Sequence, residues 1–127
     1  MEASARRAVD AWVEKVKGPL IFVVLLTGTL LAAVGQVAFK LGATGRESLA
    51  EFFNGWIILG LISYGLGTAL WIFALSKASL TLVYPFTALT FVLVYGAGIF
   101  VLGEATSLPQ ILGVGFVLVG LFLITSV

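Results

Sequence analysis

Long apolar runs, separated by short polar segments, make up most of the chain. There are four of them, each free of Asp, Glu, Lys and Arg, and they cover residues 18–39, 52–76, 78–103 and 105–127. Each holds roughly 20 or more residues, enough for a helix to cross ~30 Å of hydrocarbon. Their apolar residues are consecutive rather than alternating, which disfavours the strands of a membrane barrel. The pattern predicts an all-α membrane protein whose four transmembrane helices lie near 19–41, 53–76, 80–102 and 108–126.

The segment before the first run has a different pattern. Apolar residues recur there at helical spacing (Val9, Trp12, Val13, Val16), and charged residues fill the rest of the turn. This pattern is typical of an amphipathic helix that lies in the headgroup plane, with Trp12 as its anchor. We expect Gly18–Pro19 to end this helix, which divides the chain into an interfacial helix, 1–17, and a transmembrane domain, 18–127.

The distribution of positive charge predicts the orientation. If the N-terminus is inside the cell, the cytoplasmic side carries five Lys and Arg residues, and the other side carries only Lys40 and Arg46. The positive-inside rule then places both termini in the cytoplasm and Lys40 and Glu104 on the opposite face.

Proline and small residues indicate how the helices bend and pack. Pro85 lies one turn inside the third predicted helix, where we expect a kink. Small residues allow helices to approach closely in lipid. They occur in the first helix at Gly28, Ala32 and Gly35, in the second at Gly60, Ser63 and Gly67, and in the fourth at Gly113 and Gly120. Packing inside the bundle explains all three sets, and a seam with a second subunit explains the fourth-helix pair equally well.

Polar and aromatic residues share one face on each of the first three helices. These stripes are Thr29, Ala33, Gln36 and Lys40; Tyr64, Thr68 and Trp71; and Tyr84, Thr87, Phe91 and Tyr95. If the stripes converge, they line a cavity of hydroxyls, an amide and aromatic rings, with Lys40 and Glu104 at one end. The alternative is that the threonines bond to their own helices and the tyrosines are interface anchors.

Lys40 and Glu104 each have two interpretations. A lysine near a helix end can extend its ammonium to the headgroups and do nothing more. Together with the Gln36 amide, Lys40 can instead hold an anionic phosphodiester. Glu104 is then either a solvated loop acid or an ion-pair partner that the phosphate displaces from Lys40.

Composition excludes several other functions. The chain is 61% hydrophobic and 10% charged, with a net charge of +1, so nothing indicates nucleic acid as a partner. It has no cysteine and no histidine, and no catalytic base, nucleophile or metal-ligand set is evident. We therefore expect a protein that is not an enzyme and has no cofactor. No acid lies within the apolar runs, which disfavours proton-coupled export of cationic drugs because that mechanism needs a carboxylate in the membrane.

Several segments resemble the four-helix members of the drug/metabolite transporter superfamily. They are residues 33–40 (AVGQVAFK), 65–75, 83–86 (VYPF), 102–104 (LGE) and 111–120. Within that superfamily, the Gly-Gln-x3-Lys and Tyr-Pro pieces look most like the subunits that flip aminoarabinose-phosphoundecaprenol. Small multidrug resistance exporters are similar at the fourth-helix glycines, Gly113 and Gly120, but their first-helix glutamate corresponds to Ala32 here.

The resemblance implies a flippase in the bacterial inner membrane that moves a polyprenyl-monophosphate-linked sugar. It implies a homodimer, or a heterodimer with a paralogous subunit. The resemblance and the polar stripes together suggest that Gln36 and Lys40 hold the phosphate, that Glu104 competes for Lys40, and that Tyr64, Trp71, Tyr84 and Thr87 line the path. Two alternatives stay open: a small multidrug or metabolite exporter, and a non-transporting subunit of a membrane glycosyltransferase system.

Overall fold

The computed structural model describes residues 2–126, apart from the side chains of 12–17, and this part of the chain is helical without any strand. Its elements are α1 (Glu2–Ala43), a single 3₁₀ turn (Leu49–Phe52), α2 (Gly55–Lys77), α3 (Leu80–Val83), α4 (Phe86–Phe100) and α5 (Leu108–Thr125). Four segments within that range are long and apolar enough to span a membrane: Gly18–Ala43, Gly55–Lys77, Leu80–Phe100 and Leu108–Thr125. They confirm the four predicted spans to within two residues at each end.

The first helix does not end where we expected. α1 runs without interruption through Gly18 and Pro19, so the predicted break is not seen. Proline inside a helix removes one backbone hydrogen bond at a cost of about 3 kcal/mol. Because helix formation is cooperative, long helical segments on both sides can carry such a defect. The predicted apolar face around Trp12 lies outside the described side chains, and the division at residue 17 stays a prediction.

The third span is interrupted at Tyr84–Pro85, at the place where a kink was predicted. α3 ends at Val83 and α4 begins at Phe86. Pro85 has no N–H to donate, and the next bonds are shorter-range: the N–H of Thr87 donates to Tyr84 O at 2.9 Å. Both residues at the interruption keep right-handed helical backbone angles, so the chain continues in the same general direction.

α1 and α2 pack with their backbones almost in contact. A Cβ added at Gly35 would lie 3.0 Å from Gly60 O, and one added at Gly67 would lie 2.8 Å from Gly28 O. The hydroxyl of the buried Ser63 donates to the backbone oxygen of Leu31 at 2.7 Å. These contacts confirm that the small residues of the first two spans serve packing inside the bundle.

Asn54 ties the beginning of α2 to the end of α1. Its side-chain oxygen accepts the first free N–H groups of α2, at 3.0 and 3.2 Å, and its amide donates to Gly42 O at 3.0 Å. In the loop before it, the backbone N–H groups of Glu47 and Ser48 donate to the Glu51 carboxylate and lower the pKa of Glu51. This end of the bundle, which also carries Lys40, is called the Lys40 end below.

α5 is the least packed of the long helices. It packs mainly against α4, and none of its described residues is buried. A Cβ added at Gly113 or Gly120 would meet nothing within 4 Å. Internal packing, one of the two explanations offered for this glycine pair, therefore does not apply.

Candidate functional site

A cavity of about 360 Å³ lies between α1, α2 and α4. Each of these helices contributes residues from the middle of its span. The lining consists of Gly28, Thr29, Ala32 and Gln36 from α1, Tyr64, Gly67, Thr68 and Trp71 from α2, and Phe86, Thr87, Thr90, Phe91 and Val94 from α4. The polar stripes of the first three helices thus converge in part, as expected.

The threonines of the cavity have already used their donors. Each hydroxyl donates to the backbone oxygen three or four residues before it, at 2.7 Å for Thr29, 2.9 Å for Thr68, 2.7 Å for Thr87 and 3.3 Å for Thr90. What these side chains offer to a ligand is therefore the lone pairs of their oxygens. The predicted back-bonding and the cavity exist together, so they are not alternatives.

Donors for a ligand come from another group of side chains. Gln36, Tyr64 and Trp71 carry an amide, a phenol and an indole N–H, and none of the three side chains has a hydrogen-bond partner within the described part of the chain. Among the described lining residues none is charged. The cavity therefore combines unpaired neutral donors, hydroxyl acceptors and four aromatic rings.

Lys40 and Glu104 lie outside this lining. Lys40 follows Gln36 by one helical turn, and its Nζ is 3.9 Å from Glu104 Oε1. Both side chains are about half exposed, at 58% and 50%. The pair joins the end of α1 to the loop after α4, and so connects the two helices at the Lys40 end of the bundle.

Of the predicted path residues, three line the cavity and one does not. Tyr64, Trp71 and Thr87 are part of the lining, as is Gln36. Tyr84 is not: it is exposed, and its ring lies 6.5 Å from that of Trp71, centroid to centroid. The interruption at Pro85 explains the difference, because a stripe drawn at helical spacing does not extend through a break in the helix.

Several lining residues were not among those predicted for the site. Thr90 lies three residues after Thr87, on the same face of α4, so its spacing could have identified it. Gly28 and Gly67 lie where α1 and α2 approach each other closely, and they bring backbone atoms to the cavity wall. That role depends on the helix packing and cannot be identified from the sequence. Phe86 also belongs to the buried cluster at the other end of the bundle, and nothing in the sequence distinguishes it from a core residue.

A second hollow, of about 380 Å³, faces the opposite side of α1. It is apolar throughout, with Leu30, Val37, Trp56, Leu93 and Val101 among its lining residues. Its surface fits hydrocarbon chains, which are the surrounding solvent of a membrane protein.

Comparison with known proteins gives a consistent set of relatives. A protein of Pseudomonas savastanoi pv. phaseolicola, named "Probable 4-amino-4-deoxy-L-arabinose-phosphoundecaprenol flippase subunit ArnE", is 32% identical over 108 residues, which cover 81% of this chain and 95% of the relative. Proteins with the same name from Yersinia pestis (strain Pestoides F) and Enterobacter sp. (strain 638) are 32% and 29% identical and cover 82% and 81% of the chain, and 95% and 94% of themselves.

No family model matches the chain, and no solved structure matches it. The relatives are named as flippase subunits and not as enzymes, which confirms the expectation of a non-enzymatic protein. Identity of this level over nearly the whole length of the relatives, together with four apolar helices in the described chain, places the protein among multi-pass membrane proteins. The chain belongs to the family of the 4-amino-4-deoxy-L-arabinose-phosphoundecaprenol flippase subunit ArnE.

Proposed function

We propose that this protein is a subunit of a flippase that carries a polyprenyl-monophosphate-linked sugar across the bacterial inner membrane. The observation that carries the proposal is the uncharged polar cavity with a lysine one helical turn beyond it. The names of the relatives support a lipid-linked sugar as cargo.

The lining suits a sugar. Sugar hydroxyls need both donors and acceptors, which Gln36, Tyr64 and the threonine oxygens supply. The apolar faces of a sugar ring pack well on aromatic rings, and Trp71, Phe86 and Phe91 provide these. A few polar groups set in an otherwise apolar wall are the usual composition of a small-molecule site.

Lys40 supplies the charge that the cavity lacks. The phosphodiester that joins a sugar to a polyprenyl chain carries a single negative charge, which one ammonium can neutralise. The Gln36 amide can donate to the same phosphate from one turn below. Charge-assisted bonds of this kind are about twice as strong as neutral ones. Glu104 then competes with the phosphate for Lys40, which allows the cargo to be released.

The cavity does not favour a cationic substrate. Within the described lining there is no carboxylate to bind a cation or to exchange it for a proton. The small multidrug exporter considered above would need such a group. The chemistry of the lining therefore supports the anionic lipid over the cationic drug.

The proposed orientation places both termini in the cytoplasm and the Lys40 end at the outer leaflet. The protein acts as a homodimer or with a paralogous subunit, and α5 provides the seam. Support comes from the excess of Lys and Arg on the other side of the membrane and from the unoccupied surface around Gly113 and Gly120.

Binding of a short-chain prenyl phosphate to the purified protein in nanodiscs tests the function. Lys40→Ala should bind roughly 10- to 150-fold more weakly, the ratio expected from a hydrogen bond to a charged group. Lys77→Ala is the matched control, since it removes another exposed lysine, at the opposite end of the bundle, and should bind like the parent protein.

Two results would contradict the proposal. If Lys40→Ala binds as tightly as the parent protein, the phosphate role of Lys40 is wrong. If the parent protein binds the lipid but does not move it between leaflets of a liposome, alone or with its paralogue, the non-transporting subunit is the better assignment.

A further inference from the structure

The carboxylate of Glu104 lies in tight contact with the place where a Cβ at position 98 would stand. Gly98 is buried near the end of α4. A Cβ added there would lie 3.0 Å from Glu104 Oε2 and 3.7 Å from Glu104 Cδ, and no other atom would lie within 4 Å. Glu104 is therefore the group that a side chain at position 98 would press against.

The backbone brings Glu104 back to Gly98. After α4, the N–H groups of Val101 and Leu102 both donate to Ala97 O, at 2.9 and 3.1 Å. Gly103 then adopts a φ of +70°, a left-handed conformation that glycine adopts without strain. The N–H of Glu104 donates to Gly98 O at 2.9 Å, so backbone and side chain of Glu104 meet the same residue.

The two oxygens of this carboxylate have different neighbours. Oε2 rests over Gly98, and Oε1 faces the Lys40 ammonium at 3.9 Å. The loop that carries Glu104 is also tied on its far side, where the Tyr95 and Thr106 hydroxyls are hydrogen bonded. With the loop held at both ends, the space above Gly98 decides how close the carboxylate comes to Lys40.

We propose that Gly98 is a positioning residue whose missing side chain seats the Glu104 carboxylate against Lys40. This inference rests on the proposed function in one respect: the seated carboxylate is the competitor that a substrate phosphate displaces. A methyl group at position 98 requires the carboxylate to move by a few tenths of an ångström. Because the ion pair already spans 3.9 Å, we expect this movement to open the pair.

The first test needs no substrate. A carbodiimide joins a lysine and a carboxylate only when they are in contact, and mass spectrometry quantifies the Lys40–Glu104 cross-link in the purified protein. Gly98→Ala should reduce the yield severalfold. Gly96→Ala is the matched control, because it adds a methyl group on the same helix where a Cβ meets nothing within 4 Å, and its yield should equal that of the parent protein.

The second test measures binding of the short-chain prenyl phosphate. Gly98→Ala should move the competing Glu104 carboxylate away from Lys40. Binding of the prenyl phosphate should then tighten by up to about fivefold, the largest ratio typical of an exposed ion pair. Glu104→Ala should tighten binding equally. In a protein that already carries Glu104→Ala, adding Gly98→Ala should not change the affinity further, because no carboxylate is left to move. If Gly98→Ala instead acts by damaging the fold, it should change the affinity in that protein as well.

The outcomes separate this inference from the proposed function. If Gly98→Ala forms the Lys40–Glu104 cross-link as well as the parent protein does, the positioning role of Gly98 is wrong. If the cross-link is lost but the affinity for the prenyl phosphate is unchanged, Gly98 positions Glu104 and the proposed competition at Lys40 is wrong.

Discussion

Gly35 lies at one of the close contacts between α1 and α2, and replacing it with alanine tests how this bundle is held together. The new Cβ would lie 2.9 Å from Tyr64 Cβ, 3.0 Å from Gly60 O and 3.0 Å from the Tyr64 backbone nitrogen. Two of these three atoms belong to the α2 backbone, so no change of side-chain rotamer relieves the contacts. The helices must move apart by several tenths of an ångström.

Two opposing effects determine the size of the change. Overpacking a well-packed contact costs about 1–3 kcal/mol. Alanine in place of glycine inside a helix returns about 0.5–1 kcal/mol, because the unfolded chain loses less conformational freedom. The net expectation for Gly35→Ala is a free energy of unfolding lower by about 0–2.5 kcal/mol. Since Tyr64 lines the cavity, the separation should also weaken ligand binding.

Gly65→Ala is the matched control. Gly65 is on α2, one residue from Tyr64, and a Cβ there meets nothing within 4 Å. It should therefore show only the favourable effect on helix stability, up to about 1 kcal/mol. The free energy of unfolding of both variants and the parent is measured in one detergent with a chemical denaturant. If Gly35→Ala is as stable as Gly65→Ala, the close approach of α1 and α2 does not limit packing and the reasoning fails.

Two further predictions concern the same helices and α5. Ser63→Ala removes the hydrogen bond to Leu31 O and should lower the free energy of unfolding by about 0.6 kcal/mol, the average for such bonds in membranes. Ser76→Ala is the control and should lower the free energy of unfolding less, because the Ser76 hydroxyl bonds only within its own helix. Equal effects of the two changes would contradict a stabilising role for the bond between helices. Replacing Gly113 and Gly120 with leucine should leave the stability of one subunit unchanged, because the space around them is open, but abolish pairing, as followed by energy transfer between labelled subunits in vesicles. Pairing that survives the double change would exclude α5 as the seam.

The membrane spans could be predicted from sequence because the bilayer sets their length. In hydrocarbon, an uncharged apolar run must satisfy its own backbone hydrogen bonds, and a helix of about 20 residues does so while crossing the bilayer. The interruption at Pro85 was predictable for a similar reason, since the missing N–H is a property of the residue itself. Pro19 shows the limit of that argument: it removes the same bond, yet α1 continues through it. Whether a proline ends a helix depends on what the neighbouring segments gain by staying helical.

The site was predictable where a polar group stands out against an apolar background. Gln36 and Thr87 are of this kind, and both line the cavity. Phe91 was included in a stripe for its spacing, but a phenylalanine on a membrane helix carries no signal that separates a cavity wall from a lipid-facing surface. The contact between Glu104 and Gly98 could not be predicted from the sequence, since it depends on the path of the loop around Gly103.

The packing of the helices separates the candidate ligand cavity from the proposed subunit seam. α1, α2 and α4 supply every described residue of the cavity, and the glycine contacts between α1 and α2 hold its walls at a fixed distance. α5 contributes nothing to that lining and keeps an open surface around Gly113 and Gly120. In lipid, association of helices depends on close packing of small residues and not on hydrophobicity, so an open glycine surface favours a partner helix over lipid chains. Changes on α5 should therefore alter assembly without altering the affinity for a prenyl phosphate, whereas changes between α1 and α2 should do the reverse.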